Sequence, residues 1–251
     1  MAHVRIRSTF QGLALLLLCV SPAAAQSFGS IFTTLPADFG HLFRPSSAVV
    51  LGIGGAGSAA VHPRDEEITT RLAANVGTRA RLFRPGGEIG NAPEQAALAL
   101  AVYIVGRSSD RPGLTATGVD LAQAQIVNGV LTQGLKFTVD RTRPNGSRHS
   151  FPSGHTSATL ATAAVIQQHY GWKLATPFYA VGMYVGVSRM VNRKHFASDV
   201  IFGAAVGLAS GRAASFGHGA NRIAISPALL PGGIGVVGTL GWPKSASRGH
   251  R

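Results

Sequence analysis

The 251 residues contain a single cysteine, Cys19. One thiol excludes an internal disulfide and any cysteine-based metal cluster. Charge is also sparse, at 13% of residues, and acidic side chains are the scarcer kind: 10 Asp and Glu against 23 Lys and Arg, for a formal net charge of +13. Aromatic residues make up 7%. No apolar run approaches the ~20 residues that a helix needs to cross a bilayer. What remains is 45% hydrophobic and includes 32 glycines. That balance is globular, not disordered, and the length suits one domain plus appendages. The excess of positive charge calls for an anionic partner: nucleic acid, an anionic membrane surface or a phosphorylated substrate.

The N-terminus bears on that choice. Arg5 and Arg7 precede the apolar run Leu13–Val20, followed by Ser21-Pro22 and Ala23-Ala24-Ala25. A charged segment, a short apolar segment and small residues make a secretory signal peptide with cleavage expected after Ala25. Cys19 follows Leu18, not the Gly or Ala of a lipoprotein signal, and would leave with the peptide. The expected organisation is a signal peptide over 1–25, a domain over 26–220 and an extension over 221–251. Export to the periplasm or medium argues against nucleic acid. The charge then reads as a device for holding phosphate, with peripheral contact to an anionic membrane as a second use.

The chain reads as all-α, a compact helical bundle. Expected helices run from Ser46 or Ser47 to Ala60, from the acidic start Asp65-Glu66-Glu67 through Ile68 to Val76, from Pro93-Glu94 through Ala96 to Val105, and over Val119 to Lys136, Thr156 to Tyr170, Pro177 to Val191 and His195 to Ala213. The basic, glycine-containing stretch Arg79 to Gly90, the turn Arg107 to Gly113 and the segment Asp140 to Ser153 read as loops. Gly182 and Gly186, and Gly203, Gly207 and Gly211, recur every fourth residue. Each costs roughly 1 kcal/mol of helix stability relative to alanine, so close helix packing is the expected reason for them. Beyond 220, two short strands over 222–226 and 235–240 flank Pro231-Gly232-Gly233 as a hairpin.

Three pieces carry chemistry. His195 and Asp199, four apart on an expected helix, would share a face, where a carboxylate can fix the imidazole tautomer. Ser153-Gly154-His155 opens a helix after Pro152, and a helix start offers free N–H groups to an anion, with Gly154 leaving room for its approach. Lys136, Arg143 and Arg189 add cations, and Arg suits phosphate because its planar fork donates twice. Arg141, Arg148, Arg193 and Lys194 read as solvated surface. His149, His155 and His195 lack the spacing of metal ligands.

In order, the pieces read Lys136, six residues, Arg143-Pro144; Pro152-Ser153-Gly154-His155; Ser188-Arg189, five residues, His195, three residues, Asp199. This resembles the type 2 phosphatidic acid phosphatase family, which shares its site with bacterial non-specific acid phosphatases and vanadium haloperoxidases. The resemblance covers Lys136 to Asp199 and is complete at every motif position. It implies a helical bundle and a phosphatase with a phosphohistidine intermediate. His195 would be the nucleophile, Asp199 its orienting carboxylate and His155 the acid and base. Lys136, Arg143, Ser153, Gly154 and Arg189 would hold the phosphate, with no cofactor. The substrate would be a phosphorylated small molecule or lipid. Three alternatives stand beside it: a haloperoxidase loaded with vanadate, an integral-membrane lipid phosphatase, and a binding protein that keeps the pocket. Specificity is expected in Arg79–Gly90 and Arg107–Gly118.

Overall fold

In a computed structural model the described residues are 29–73, 76–216 and two strands over 222–230 and 233–241. The expected signal peptide and the terminal tail lie outside them. The described chain is helical up to Ser215: α1 (Ser30–His41), α2 (Pro45–Val61), α3 (Asp65–Ala73), α4 (Val76–Phe83), α5 (Pro85–Ile89), α6 (Ala92–Ser108), α7 (Pro112–Val139), α8 (Gly154–Tyr170), α9 (Trp172–Val191) and α10 (Ala197–Ala214). An antiparallel hairpin follows, β1 (Arg222–Leu230) with β2 (Gly233–Gly241), in register Arg222 to Gly241. The expected hairpin is therefore present, with longer strands.

Helix α8 is the core of the bundle. Every residue from Thr156 to Ile166 is buried, so it has no polar face to read as a period. Its threonines remain compatible with burial by bonding backwards along the helix, as Thr159 does to the His155 carbonyl at 2.9 Å. Helices α7, α9 and α10 surround α8, α2 covers α10, and α6 lies on α7.

The glycine stripe of α10 explains how closely two helices meet. A Cβ placed on Gly203, Gly207 or Gly211 would fall under 3.0 Å from the carbonyl oxygen of Ser153, Ser157 or Ala161 respectively. The offset is constant, so α8 and α10 run parallel with backbone against backbone. Both N-termini, and their partial positive charge, therefore point to one end of the bundle. The C-terminal turns of α7 and α9 arrive at the same end, bringing Lys136 and Arg189. At the other end, His169 Nε2 meets Asp120 Oδ2 at 2.7 Å and ties α8 to α7.

Several boundaries differ from expectation. Residues 30–41, for which no helix is expected, form α1 with Pro36 inside it. Helix α9 starts at Trp172, not Pro177, because Gly171, at φ 82°, supplies the break and Pro177 is carried inside. Helix α7 starts at Pro112, so Arg107–Gly118 is two helix ends and a three-residue turn. That turn lies at the opposite end of α7 from Lys136, about 36 Å away at 1.5 Å per residue, where Leu114, Tyr170 and Phe178 line an apolar groove. Arg79–Gly90 is also not a loop: it forms most of α4 and all of α5.

Candidate active site

The site forms where α8 and α10 begin and α7 and α9 end, closed on one side by the loop 140–153. That loop is held by its own backbone: Ser150 N–H donates to Arg141 O at 2.7 Å and Arg143 N–H to Ser147 O at 2.7 Å. Lys136, 8% exposed, pins it from below, with Nζ donating to the carbonyls of His149 and Pro152, each at 2.8 Å. One of its three N–H bonds is left for a ligand.

His195 is not on a helix. Helix α10 starts at Ala197 with Phe196 as N-cap, and His195 lies in the bend before it. The expected shared helical face with Asp199 is therefore overturned. Nδ1 of His195 is 2.6 Å from the carbonyl oxygen of Ser150. A carbonyl only accepts, so Nδ1 carries the proton and Nε2 keeps the lone pair. The tautomer is the expected one, but Ser150 fixes it. The Asp199 carboxylate stands 3.8 Å from Nδ1, beyond hydrogen-bond reach, and acts on the ring as a nearby charge.

Asp199 is fully engaged elsewhere. Its Oδ2 accepts from Phe196 N–H at 2.8 Å and from the Ser150 hydroxyl, and its Oδ1 accepts from Arg141 at 2.8 Å. Burial pushes this carboxyl upward, yet the His195 imidazole, the Ser150 hydroxyl, the Phe196 N–H and the Arg141 charge together hold it below the ordinary carboxylate range. Burial pushes His195 down to about 4, against the opposing Asp199 and aided by Lys136 and Arg143.

Arg141 is a correction to the sequence reading. It is 19% exposed and bridges Asp199 and Asp65, with its guanidinium 4.2 Å above the centre of the Phe196 ring. Arg148, in contrast, is exposed and pairs with Asp140. Arg193 reaches the Pro144 carbonyl at 3.2 Å. Lys194 contributes its backbone N–H to Arg189 O at 2.9 Å.

The remaining expected residues come together. Ser153 caps α8, with its N–H on the Asp199 carbonyl at 3.0 Å and its hydroxyl 2.9 Å from that of Thr156. Beside Gly154 the space is open: a Cβ there would meet Lys136 Cε at 3.8 Å and nothing nearer. Burial lowers Lys136 to about 8, and Arg143 and Arg189 push it further in the same direction. Burial likewise lowers Arg189 to about 10, with Arg143 adding to it, and brings Arg143 below its usual value. His155 is pushed down to about 3, first by burial and then by Arg189, His195, Lys136 and Arg143. Among the described residues, Arg143 Nε, Arg189 Nε and Ser188 Oγ are buried polar atoms without a hydrogen-bond partner. Native interiors seldom leave such donors unpaired. Lys136, Arg143 and Arg189 thus crowd round His155 and His195 with donors that no protein group takes up.

The short helix α5 lies over the Ser188–Arg189 turn. A Cβ on Gly86 would strike Ser188, one on Gly87 would come 3.1 Å from Arg189 Nη1, and one on Gly90 would strike Val185 and His155. Gln95 fixes its end by donating to the Ile89 carbonyl at 2.7 Å. The glycines read from the sequence as loop signals are there for close approach to the site.

Filling the pocket should change its proton count. A bound phosphate oxyanion favours the charged imidazole, so binding should raise the titration of His155 and take up protons between about pH 4 and 6. Calorimetry of phosphate binding in buffers of different ionisation enthalpy reads that uptake, and no uptake at pH 5 would separate His155 from the anion.

These features make a buried, basic pocket around His155 and His195 of the kind that holds an oxyanion. Residues 117–222, a stretch that contains all three motifs, match the model of the PAP2 superfamily. Over 92 residues it is 40% identical to the lipid A 1-phosphatase of Porphyromonas gingivalis, covering 34% of this chain and 20% of that one. Over 99 residues it is 27% identical to the lipid A 4'-phosphatase of Helicobacter pylori, covering 35% of this chain and 50% of that one. The chain thus spans a fifth and a half of the lengths of these two relatives. Among solved structures, LpxE of Aquifex aeolicus aligns with a TM-score of 0.48 at 19% identity, covering 59% of this chain and 92% of that one. A transmembrane PAP2-type phosphatidylglycerolphosphate phosphatase of Bacillus subtilis gives 0.48 and 19%, covering 75% and 94%. No described helix of this protein is long and apolar enough to cross a membrane.

Proposed function

We propose that the protein is a phosphatase that removes a terminal phosphate from a lipid through a phosphohistidine intermediate. The observation that carries this reading is the buried cluster of Lys136, Arg143 and Arg189, with unpartnered guanidinium donors, beside a histidine whose Nδ1–H is held by Ser150 O. The similarity to two lipid A phosphatases supports a lipid as the leaving group.

In this reading the Nε2 lone pair of His195 attacks phosphorus and a P–N bond forms as the P–O ester bond breaks. His155, protonated once the phosphate is bound, gives its proton to the departing oxygen. Neutral again, it takes a proton from a water whose oxygen attacks phosphorus, breaking the P–N bond and releasing phosphate. Lys136, Arg143, Arg189, the Ser153 hydroxyl and the amides around Gly154 hold the equatorial oxygens throughout. Asp199, at 3.8 Å, offsets the positive charge that the ring acquires. The three cations supply the positive charge that the transferring phosphoryl group requires. A signal peptide over 1–25 would deliver the enzyme to the periplasm, where it would meet its lipid at a membrane surface.

The test is a phosphate-release assay of the full chain on a lipid A-type phosphate in detergent and on a chromogenic phosphomonoester, with and without orthovanadate. The expected result is release from the lipid substrate, competitive inhibition by vanadate, and an acid-labile phosphoenzyme on rapid quenching. No release from either substrate together with no vanadate binding would sink the reading. Halide oxidation with added vanadate, without phosphate release, would favour the haloperoxidase alternative.

A further inference from the structure

Asp65 belongs to none of the three motifs and lies outside the region 117–222 that matches the superfamily model. It is nevertheless 2% exposed and directed at the site. Its Oδ1 accepts the N–H of Ser198 at 2.9 Å, in the first turn of α10. Its Oδ2 accepts from Arg141 at 2.8 Å and from the Ser198 hydroxyl. Helix α10 needs this help because its N-cap is Phe196, whose side chain has no acceptor. Two carboxylates serve instead: Asp65 takes the amide of Ser198, and Asp199 that of Phe196. Arg141 lies between them with one nitrogen on each. Its Nη1 also donates to Ser198 Oγ at 2.7 Å.

This chain of contacts determines where the Asp199 charge stands. A carboxylate four residues from a histidine would ordinarily close on Nδ1–H. Here Arg141 on Oδ1, with Phe196 N–H and Ser150 Oγ on Oδ2, occupies it, and His195 turns to the Ser150 carbonyl instead.

We propose that Asp65 and Arg141 are positioning residues for phosphoryl transfer, a role that rests on the phosphatase reading above: they hold the Asp199 carboxylate 3.8 Å from His195 Nδ1, so that the ring stays bonded to the Ser150 carbonyl while a negative charge stands beside it. Helix α3, outside the matched region, thereby becomes part of the site.

The two residues carry opposite charge, which separates this role from simple scaffolding. His195 is faced by Lys136 from α7, Arg143 from the 140–153 loop, His155 from α8 and Asp199 from α10, with Arg189 from α9 beside His155, Arg141 and Asp65 behind Asp199, and His62 Nδ1 3.2 Å from Asp65 Oδ2. Arg141→Gln removes the cation that restrains Asp199, and the carboxylate then favours a protonated ring. The acid limb of kcat/KM should move up by about one pH unit and kcat at neutral pH should fall about 10–100-fold, by analogy with the loss of a group that orients a metal-ligating histidine. Asp65→Asn leaves Arg141 with one counterion, so the acid limb should stay or move down. Arg141→Lys should recover part of the loss.

The experiment measures the titration of His195 by imidazole NMR of the full chain, alongside pH profiles of kcat and KM, for the wild type, Arg141→Gln, Arg141→Lys and Asp65→Asn. A rise of His195 in Arg141→Gln with no rise in Asp65→Asn supports the proposal. Equal displacements, or none in variants whose circular dichroism matches the wild type, overturn it. Should Arg141→Gln fail to fold, the contrast between Arg141→Lys and Asp65→Asn decides in the same way: His195 rising in the first and not in the second supports the proposal. A wild type without phosphatase activity would refute the function, while the NMR comparison would still report whether Arg141 and Asp65 control Asp199.

Discussion

Replacing His195 with alanine is expected to lower turnover of a phosphomonoester by about 10⁴-fold or more, the scale on which nucleophile deletions act in enzymes with covalent intermediates. The reason is geometric. Nδ1–H is committed to the Ser150 carbonyl at 2.6 Å, leaving Nε2 as an unprotonated nitrogen, and burial keeps that form dominant down to about pH 4. His155 cannot take over, because its position among Arg189, Lys136 and Arg143 suits an acid that is charged only by the bound phosphate. The variant should still bind vanadate, since the three cations and the start of α8 are untouched. Quenched-flow trapping checks the assignment: the wild type yields a phosphoenzyme, and the variant yields none. A variant that traps phosphate at wild-type level would move the nucleophile elsewhere.

The second large effect concerns the fold. Gly207→Ala places a Cβ under 3.0 Å from the Ser157 carbonyl oxygen, and that neighbour is backbone in the buried middle of α8. It cannot turn aside as a flexible side chain would. Overpacking of this kind costs about 1–3 kcal/mol, against a helix-propensity gain of roughly 1 kcal/mol from replacing glycine. The strain should win, and the alternative is for α10 to lift off α8. A shift of about 2–4 °C in Tm per kcal/mol holds for domains of this size, so melting should fall by several degrees, and further for Gly203→Ala combined with Gly207→Ala. Activity should fall with stability, because Gly203 faces Ser153 at the start of α8. Differential scanning calorimetry of the two variants tests this. An unchanged or raised Tm would mean that the stripe is not a backbone contact.

Much of the site was legible in the sequence. Lys136, Arg143, Ser153, Gly154, His155, Arg189, His195 and Asp199 occur in a fixed order and spacing, and the fold does bring them to one end of the bundle. The glycines of α10 were legible as a packing stripe, because a fourfold repeat of destabilising residues calls for a partner. Helix ends were less legible. Pro177 resembles a start and Arg79–Gly90 a loop, but these residues answer to neighbours distant in sequence, and packing overrides local preference.

Asp65, Ser150 and Arg141 mark where that legibility ends. Asp65 read as an ordinary acidic helix start, and Arg141 as one more surface cation among 23 Lys and Arg. Their meaning is a bridge across 76 residues of chain, and no local pattern encodes a contact at that separation. The i, i+4 spacing of His195 and Asp199 was legible too, but it suggested the wrong bond: an apolar N-cap at Phe196 draws Asp199 to the backbone and leaves His195 to Ser150. By itself the sequence determined the helical class and the chemical groups that meet at the end of the bundle, because these follow from residue type and spacing. The tertiary structure alone decided which partner holds His195 and where the Asp199 charge stands, because hydrogen bonds in a buried site are apportioned among all the groups that the fold brings within reach.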